Sequence, residues 1–374
     1  MPRIDSIEIY RVRLPLIYPF RTAYGSDAVV EPVLVRLGSG ALCGWGEGQA
    51  FQFPTYRSEY AAGVFAVVRD VLAPAILGRE IDTGEQLAGM LSCFKGNHFA
   101  KGAIDMAWWD LDAKMRGEPL WRVLGGQRDV IDVGADFGVM ETIDDLLAKI
   151  DEAVRAGYKR TKLKYAPGWD LDMVAAVRRA FPDQVFHIDC NSGYTLDDLP
   201  MFKKLDQYNL AMIEQPLMHD DLVDHATLAK QIETPICLDE SITSPAKARK
   251  AIEIGACRWI NIKPVRVGGH TPAIQIHDLC EQAGTPCWVG GMVESGLGIL
   301  HCAAMATLPN IKYPSDVFPS SRFFKRDLVT PRLTLSGPSQ ITLPTLPGVG
   351  AEPDPEQLER LVLERATLGI ETVY

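Results

Sequence analysis

The sequence contains no apolar run near the roughly 18 residues that a membrane-spanning helix needs, and no excess of positive charge. Its 374 residues include 38 lysines and arginines against 48 acidic residues, a net charge of −10. A protein that binds nucleic acid needs a basic surface to contact the phosphates. We therefore expect neither a membrane nor a nucleic acid among its partners.

The eight cysteines form no C-x-x-C pair, and several lie within apolar runs. This pattern indicates buried free thiols in a reducing compartment, not disulfides or a zinc site. The first sixteen residues, MPRIDSIEIYRVRLPL, alternate in polarity and carry charges, which predicts an edge strand and not a secretory signal. Together these features predict a cytoplasmic protein.

A regular spacing of charged residues is the most informative feature that is present. Short apolar runs end at intervals of 25, 25, 25 and 24 residues, at Lys164, Asp189, Glu214, Asp239 and Lys263, and 25 more residues lead to Trp288. A strand of about five residues, a helix of about twelve and two short loops fill such a period. Repeated strand–helix units predict a parallel sheet closed into a (β/α) barrel, whose strands all end at the face where active sites are built.

The residues outside this repeat predict a second domain. Within residues 1–125, alternating segments are followed by helical segments at Ser58–Leu72 and Phe99–Arg116, an order typical of an α+β domain. We expect the barrel to occupy residues 126–329, with its first strand at Val130–Phe137. The Pro- and Gly-rich segment 330–374 is predicted to return and complete the first domain.

Three of the spaced residues are carboxylates on consecutive predicted strands. If Asp189, Glu214 and Asp239 face the barrel mouth, the residues two positions earlier, His187, Met212 and Cys237, face the barrel interior one layer below. Three carboxylates with no histidine form an oxygen-only site, which suits Mg²⁺ or Mn²⁺ better than zinc. The sequence therefore predicts a divalent-metal site.

A lysine on either side of the carboxylates supplies two candidate bases, Lys164 and Lys263. A lysine base must be neutral near pH 7, against an ordinary pKa of about 10.4. Lys162 lies two residues from Lys164, roughly 6.6 Å along the strand, and at an effective dielectric constant of about 20 its charge would lower that pKa by about two. We expect Arg266 to act on Lys263 in the same way. The chemistry that needs this arrangement is removal of a proton next to a carboxylate, because the resulting enediolate needs a metal to stabilise it.

These residues lie in a set of recognisable segments: KLKYAPGWD (162–170), IDCNSGY (188–194), IEQPL (213–217), CLDESI (237–242), INIKPVRVGG (260–269) and GGMVESGLG (290–298). On them the chain resembles the muconate-lactonizing-enzyme subgroup of the enolase superfamily. The resemblance implies a (β/α)7β TIM-like barrel beneath an α+β capping domain. It also implies Mg²⁺ (or Mn²⁺) ligands at Asp189, Glu214 and Asp239, an acid–base pair at Lys164 and Lys263, and supporting roles for Lys162, Asn191 and Arg266.

Within that subgroup the chain most resembles the o-succinylbenzoate synthases and the branch that also racemises N-succinylamino acids. The segments PFRTAYG (19–25), KPVRVGG (263–269) and SRFFKRDL (321–328) carry this resemblance. It implies a homo-oligomeric lyase that acts on a small carboxylate substrate in menaquinone biosynthesis, through a metal-dependent syn-dehydration. We predict that Phe20, Gly291, Met292 and Phe323 contact the substrate.

Several alternatives remain open at this stage. Racemisation as the main role and a muconate cycloisomerase both fit the same residues. The segment CWVGG (287–291) offers no histidine for a mandelate-racemase-like site, and residues 315–318 lack the Asp-x-Asp of dipeptide epimerases. Outside the superfamily, GGMVESGLG would be a phosphate cradle in a phosphate-binding barrel, or the barrel would be purely structural. The histidines at 219, 225, 270, 277 and 301 are expected to be packing or surface residues.

Overall fold

The structure, a computed structural model, describes residues 2–22 and 25–370, and from 20 to 22 it describes only the backbone. The first domain begins with strands β1 (Ser6–Val12), β2 (Leu14–Thr22), β3 (Gly25–Val30), β4 (Val33–Ser39) and β5 (Leu42–Gly48). Helices α1 (Ala61–Val67), α2 (Ala73–Ile76), α3 (Gly84–Leu91), α4 (His98–Arg116) and α5 (Leu120–Val123) follow, with a π-helical turn at Val68–Leu72. The α+β order of this domain is as predicted.

Helix α4 packs tightly against the antiparallel sheet of this domain. Glycines at alternate positions of β5 make the close approach possible: a Cβ at Gly46 would lie 2.1 Å from the carbonyl oxygen of Ala103 on α4. The opposing apolar residues of the sheet, Ile7 and Ile9 among them, are fully buried. Burial of this face supplies the main stabilisation of the domain.

The barrel sheet contains seven parallel strands in sequential order. They are preceded by β6 (Val130–Asp132) and consist of β7 (Ala135–Phe137), β8 (Arg160–Lys164), β9 (Val185–Asp189), β10 (Ile213–Glu214), β11 (Ile236–Leu238), β12 (Trp259–Ile262) and β13 (Cys287–Val289). The helices between and after them are α6 (Ile143–Arg155), α7 (Leu171–Ala180), α8 (Leu199–Leu205), α9 (Val223–Ala229), α10 (Pro245–Glu253), α11 (Pro264–Val267), α12 (His270–Gln282) and α13 (Gly296–Met305). The predicted barrel with a capping domain is therefore confirmed.

The eighth position of the barrel is filled by extended chain at residues 311–316. Ile311 bridges to Cys287 on β13, and Ser315 bridges to Val133 on the other side. The backbone N–H of Asp316 donates to the carbonyl oxygen of Val289 at 2.8 Å. These contacts close the sheet and bring Asp316 to the mouth of the barrel.

The predicted first barrel strand, Val130–Phe137, was wrong in its extent. The C-terminal part of the chain adds two short strands, β14 (Val329–Thr330) and β15 (Gln340–Thr342). β6 pairs antiparallel with β15, and only β7 joins the barrel sheet. The break falls at Gly134, where a Cβ would lie 2.1 Å from the guanidinium carbon of Arg160. The side chain of Arg160 thus occupies the space that a side chain at position 134 would need.

The C-terminal segment returns to the first domain. After β16 (Glu352–Pro353) and α14 (Pro355–Leu361), strand β17 (Val362–Gly369) pairs antiparallel with β1 and gives a four-stranded sheet of order β17-β1-β4-β5. Across the described residues, no helix has both the length and the apolar character needed to cross a membrane.

Candidate active site

Strand register brings the spaced charged residues together. Lys164 on β8 lies directly opposite Asp189 on β9, and Asp189 lies opposite Glu214 on β10. Asp239 follows β11, and Lys263 follows β12 at the start of α11. None of the five exposes more than 8% of its surface. The result is a row of three buried carboxylates with a lysine at each end.

Two lysines contact the first carboxylate of the row. The Nζ of Lys164 lies 2.7 Å from Oδ2 of Asp189, and the Nζ of Lys162 lies 2.9 Å from the same oxygen. Burial alone would raise the pKa of Asp189, but Lys162 and Lys164 outweigh it and hold that pKa well below its usual range. Asp189 is therefore a carboxylate near neutral pH.

Glu214, the central carboxylate, is held from three sides. Oε2 lies 2.8 Å from the Nζ of Lys162 and 3.2 Å from Nε2 of His187, while Oε1 accepts from Asn261 at 2.8 Å. The Nδ1 of His187 is in turn 3.1 Å from the hydroxyl of Tyr313. Burial and the charge of Asp189 act to raise the pKa of Glu214, and Lys162 and His187 outweigh them, so the pKa is lowered.

The layer below the carboxylates is the one predicted from the strand alternation. His187, Met212 and Cys237 are fully buried inside the barrel, and the indole N–H of Trp288 donates to Sγ of Cys237 at 3.2 Å. This layer gives the row of carboxylates a rigid floor, since packed interiors deform little.

Asp239, the third carboxylate, is shared by a lysine and an arginine. The Nζ of Lys263 lies 2.9 Å from Oδ2 of Asp239, and the guanidinium of Arg266 contacts Oδ1. Arg266 also donates to the carbonyl oxygens of Ile242 at 3.0 Å and of Asn261 at 2.6 Å. Arg266 thus fixes Asp239 in position.

The lowered pKa that we expected for Lys263 next to Arg266 is not found in this structure. Burial acts to lower the pKa of Lys263, but the negative groups around it, Tyr56 and Glu240 first among them, raise it above its ordinary value. The guanidinium of Arg266 is directed at Asp239, so the carboxylate compensates its charge locally.

Asn191 forms hydrogen bonds with Lys164 and with two carboxylates, those of Asp189 and Glu240. Its Oδ1 accepts from the Nζ of Lys164 at 2.9 Å, and its Nδ2 donates to Oδ2 of Asp189 at 3.2 Å and to Oε1 of Glu240 at 3.0 Å. Asn191 adopts a left-handed backbone conformation with φ of 44°. Glu240 is a buried carboxylate that the sequence reasoning did not single out.

A cavity opens above the carboxylates, between the barrel mouth and the capping domain. Its empty volume is about 650 Å³, including space open to solvent. Three of the four residues predicted to contact substrate, Gly291, Met292 and Phe323, line it together with Lys162, Lys164, Asn191 and Lys263. The side chain of Phe20 lies outside the part of the chain that is described. The rest of the lining lies outside those four predicted residues and consists of Phe51, Tyr56, Asp136, Val293, Glu294, Ile299, Asp316 and Phe318.

Asp316 lines this cavity and forms an ion pair with Arg160 of β8. Its Oδ1 lies 2.7 Å from Nη1 of Arg160, whose guanidinium carbon lies 5.4 Å from the ring centroids of both Trp288 and Tyr313. Arg160 and Lys162 hold the pKa of Asp316 below its usual range, although burial opposes them. A signal for Arg160 was present in the sequence, because it shares the face of Lys162 and Lys164 on β8.

The alternative interpretation of GGMVESGLG as a phosphate cradle does not fit the hydrogen bonds at the start of α13. Glu47 of the capping domain accepts hydrogen bonds from the backbone N–H groups of Ser295 and Gly298, at 2.9 and 3.0 Å. Asp327 accepts a hydrogen bond from the backbone N–H of Gly296 at 2.9 Å, and the hydroxyl oxygen of Ser295 accepts one from the backbone N–H of Leu297 at 3.2 Å. The start of α13 already holds two carboxylates, so it has no donors left for a phosphate.

The packing role expected for four of the histidines agrees with their surroundings. His225, His270, His277 and His301 are buried and hydrogen-bonded. His277, Asp278 and Glu281 cluster on α12, but Nδ1 of His277 lies 2.8 Å from Asp278 and Nε2 accepts from the backbone of Asn310. Both ring nitrogens are therefore in use.

The chemistry of the donor set tests whether a metal fits the row of carboxylates. Asp189, Glu214 and Asp239 present oxygen atoms only, from three adjacent strands. Such hard donors match Mg²⁺ and Mn²⁺, which prefer carboxylates. Lysine ammonium groups contact each of the three carboxylates, so cationic groups already surround the row in this structure. The residues present therefore fit a divalent cation.

Family models match both domains. Residues 5–125 match the N-terminal domain of the mandelate racemase / muconate lactonizing enzyme family, and residues 145–357 match the enolase C-terminal domain-like family. The chain belongs to the enolase superfamily. Enzymes of this superfamily depend on a divalent metal, generally Mg²⁺.

Individual members of the enolase superfamily match over nearly the whole chain. An N-succinylamino acid racemase from Thermus thermophilus is 44% identical over 87% of this chain and 89% of its own. An o-succinylbenzoate synthase from Geobacillus stearothermophilus is 43% identical over 96% of this chain and 95% of its own. A superfamily member of solved structure from Listeria innocua superposes with a TM-score of 0.95 at 36% identity, covering 98% of this chain and 99% of that one.

Proposed function

We propose that this protein is an o-succinylbenzoate synthase, a lyase that also racemises N-succinylamino acids. The observation that carries the proposal is the row of three carboxylates with Lys164 at one end and Lys263 at the other. Its similarity to relatives named for each of the two activities supports both roles. The main substrate would be 2-succinyl-6-hydroxy-2,4-cyclohexadiene-1-carboxylate.

Asp189, Glu214 and Asp239 would hold a Mg²⁺ or Mn²⁺ ion in this proposal. When bound, the ion supplies stabilisation of the negative charge that develops on the substrate carboxylate as the adjacent proton leaves. Lys162 is placed between Asp189 and Glu214, at 2.9 and 2.8 Å. Its pKa is raised well above the ordinary value, because the surrounding carboxylates outweigh the effect of burial, so it would stay a cation and keep the two ligands oriented.

In the dehydration, Lys164 would act as the base and take the proton on the carbon next to the carboxylate. The C–H electron pair becomes part of the new ring double bond as the C–O bond to the hydroxyl breaks. The hydroxyl leaves from the same face and receives the proton from Lys164, so the products are water and o-succinylbenzoate. Since the ring becomes aromatic, positioning and charge stabilisation suffice for the step. Lys263 would remain a cation and stabilise charge.

Racemisation needs a base on each face of the alpha carbon. Lys164 and Lys263 approach the row from strands β8 and β12, with three strands between them. One lysine would remove the alpha proton of an N-succinylamino acid, while the other would return a proton to the opposite face. The same pair of residues would therefore serve both reactions.

Two assays with purified enzyme and Mg²⁺ test the proposal. The first follows conversion of the cyclohexadiene substrate into o-succinylbenzoate, and the second follows alpha-proton exchange of both enantiomers of N-succinylphenylalanine in D₂O. A muconate cycloisomerase would use the same carboxylates and lysines, so muconate is the comparison substrate. Turnover of muconate alone would contradict the proposal.

A further inference from the structure

Arg322 is a half-buried cation at the edge of the active-site cavity. It ends the short 3₁₀ turn Ser320–Arg322, which follows the eighth position of the barrel. Its guanidinium carbon lies 4.3 Å from the ring centroid of Phe318 and 5.8 Å from that of Phe323. Nη2 donates to the carbonyl oxygen of Asp136. Phe318, Phe323 and Asp136 all line the cavity.

The charge of Arg322 has no carboxylate partner in the part of the chain that the structure describes. The two fully buried arginines of the barrel differ in this respect, because Arg160 pairs with Asp316 and Arg266 pairs with Asp239. The guanidinium of Arg322 packs against two aromatic rings and donates to one carbonyl oxygen. Because a guanidinium carries five N–H donors, several of them remain available for a ligand. A planar guanidinium is well suited to bind a carboxylate through two parallel hydrogen bonds.

A groove continues the cavity past Arg322. It shares Asp136 and Phe323 with the cavity, and Tyr18 and Pro19 of β2 form part of its wall. Farther along, helix α6 lines the groove with Asp145, Lys149 and Glu152, next to Glu141 in the preceding loop, and Lys149 is paired with Glu152 at 2.9 Å. The acidic residues of the outer groove therefore disfavour an anion there, whereas at the inner end, beside Asp136, Arg322 supplies a positive charge.

We propose that Arg322 binds the distal carboxylate of the substrate, at the end of its succinyl chain. The inference rests on the proposed function, since both proposed substrates carry a succinyl group. The two methylenes of that group would pack against Phe318 and Phe323, and its carboxylate would accept hydrogen bonds from the guanidinium. Arg322 would thereby select for dicarboxylate substrates without contact with the reacting carbon.

A neutral isostere of the substrate isolates this contact. The amide analogue of N-succinylphenylalanine, with CONH₂ in place of the distal carboxylate, keeps the shape and loses the charge. Alpha-proton exchange of the two compounds gives a preference, the ratio of their kcat/KM values. We expect the wild type to prefer the carboxylate by about 10- to 100-fold, as for a charged hydrogen-bonded pair. Arg322→Gln should reduce this ratio to near one, and Arg322→Lys should retain part of it.

Lys325→Gln is the matched control, because it removes an exposed positive charge three residues farther along the chain. It should keep the wild-type preference. A wild type that treats both compounds alike overturns the proposal, as does an equal loss of kcat/KM for both in Arg322→Gln, or a collapse of preference in Lys325→Gln. Thermal melting identifies a variant that does not fold, in which case Arg322→Lys decides.

Failure of the proposed racemisation is a separate result. If the wild type exchanges neither compound, the same comparison is made by calorimetric binding of o-succinylbenzoate and of its distal amide in the presence of Mg²⁺. A preference for the carboxylate that disappears in Arg322→Gln then supports the inference without any turnover. Equal binding of both compounds by the wild type overturns it.

Discussion

Replacing Glu47 by Gln is expected to change how the stability of the protein depends on pH. Glu47 is 1% exposed and connects the capping domain to the barrel, since its oxygens accept from the backbone of Ser295 and Gly298 at the start of α13. Burial raises the pKa of Glu47 to about 7 from 4.5, although the donors at Ser295 and Gly298 oppose it. The substitution keeps the volume of the side chain and removes its ionisation.

The sign of the effect follows from the two pKa values. Below pH 4.5 the folded and unfolded states both keep the proton on Glu47. As pH rises from 4.5 to 7, the unfolded state loses its proton first, so the carboxyl group contributes less and less to the free energy of unfolding. The difference between the two pKa values corresponds to about 3.4 kcal/mol of free energy of unfolding. Of this contribution, about 2 to 3 kcal/mol would be lost between pH 5 and pH 8.

Chemical denaturation at pH 5 and pH 8 measures this difference. Relative to the wild type, Glu47→Gln should gain about 2 to 3 kcal/mol in free energy of unfolding on going from pH 5 to pH 8. Ionisations common to both proteins cancel in the comparison. Glu118→Gln, at an exposed position, is the control and should show no such gain. If Glu47→Gln also shows none, then the donors at Ser295 and Gly298 outweigh burial and the reasoning is refuted.

Four further predictions concern the active site. EDTA should abolish turnover, and Mg²⁺ or Mn²⁺ should restore it; full activity in a preparation shown by elemental analysis to be metal-free would contradict the ligand roles of Asp189, Glu214 and Asp239. Lys164→Ala should lower kcat for dehydration by several orders of magnitude, as expected when a catalytic base is removed, and retention of more than a few per cent of activity would rule out that base. Lys263→Ala should spare alpha-proton exchange of only one enantiomer of N-succinylphenylalanine in D₂O; exchange of both would show that it is not the second base. Arg266→Gln should impair racemisation more than dehydration, because Asp239 loses its arginine partner and then no longer holds Lys263 in place. Equal losses in the two assays would contradict this.

Much of the fold and the central site could be predicted from periodicity alone. A strand–helix repeat of about 25 residues admits few architectures, and parallel strands in a barrel all end at one face. The chemistry of Lys164, Asp189, Glu214, Asp239 and Lys263 therefore converges without any knowledge of long-range contacts. Alternation along a strand likewise predicted the layer of His187, Met212 and Cys237 beneath them, because side chains two residues apart share a face.

Contacts between distant segments could not be predicted in this way. The ion pair of Arg160 with Asp316 spans 156 positions of the chain, and it places a carboxylate at the edge of the cavity. Arg266 has a neighbouring lysine in sequence, but its guanidinium contacts Asp239. Glu47 contacts the start of α13 although it lies 248 positions from Ser295 in the chain. Local patterns specify which face a side chain occupies, whereas its partner across that face depends on how the elements pack, and only the tertiary structure decides that.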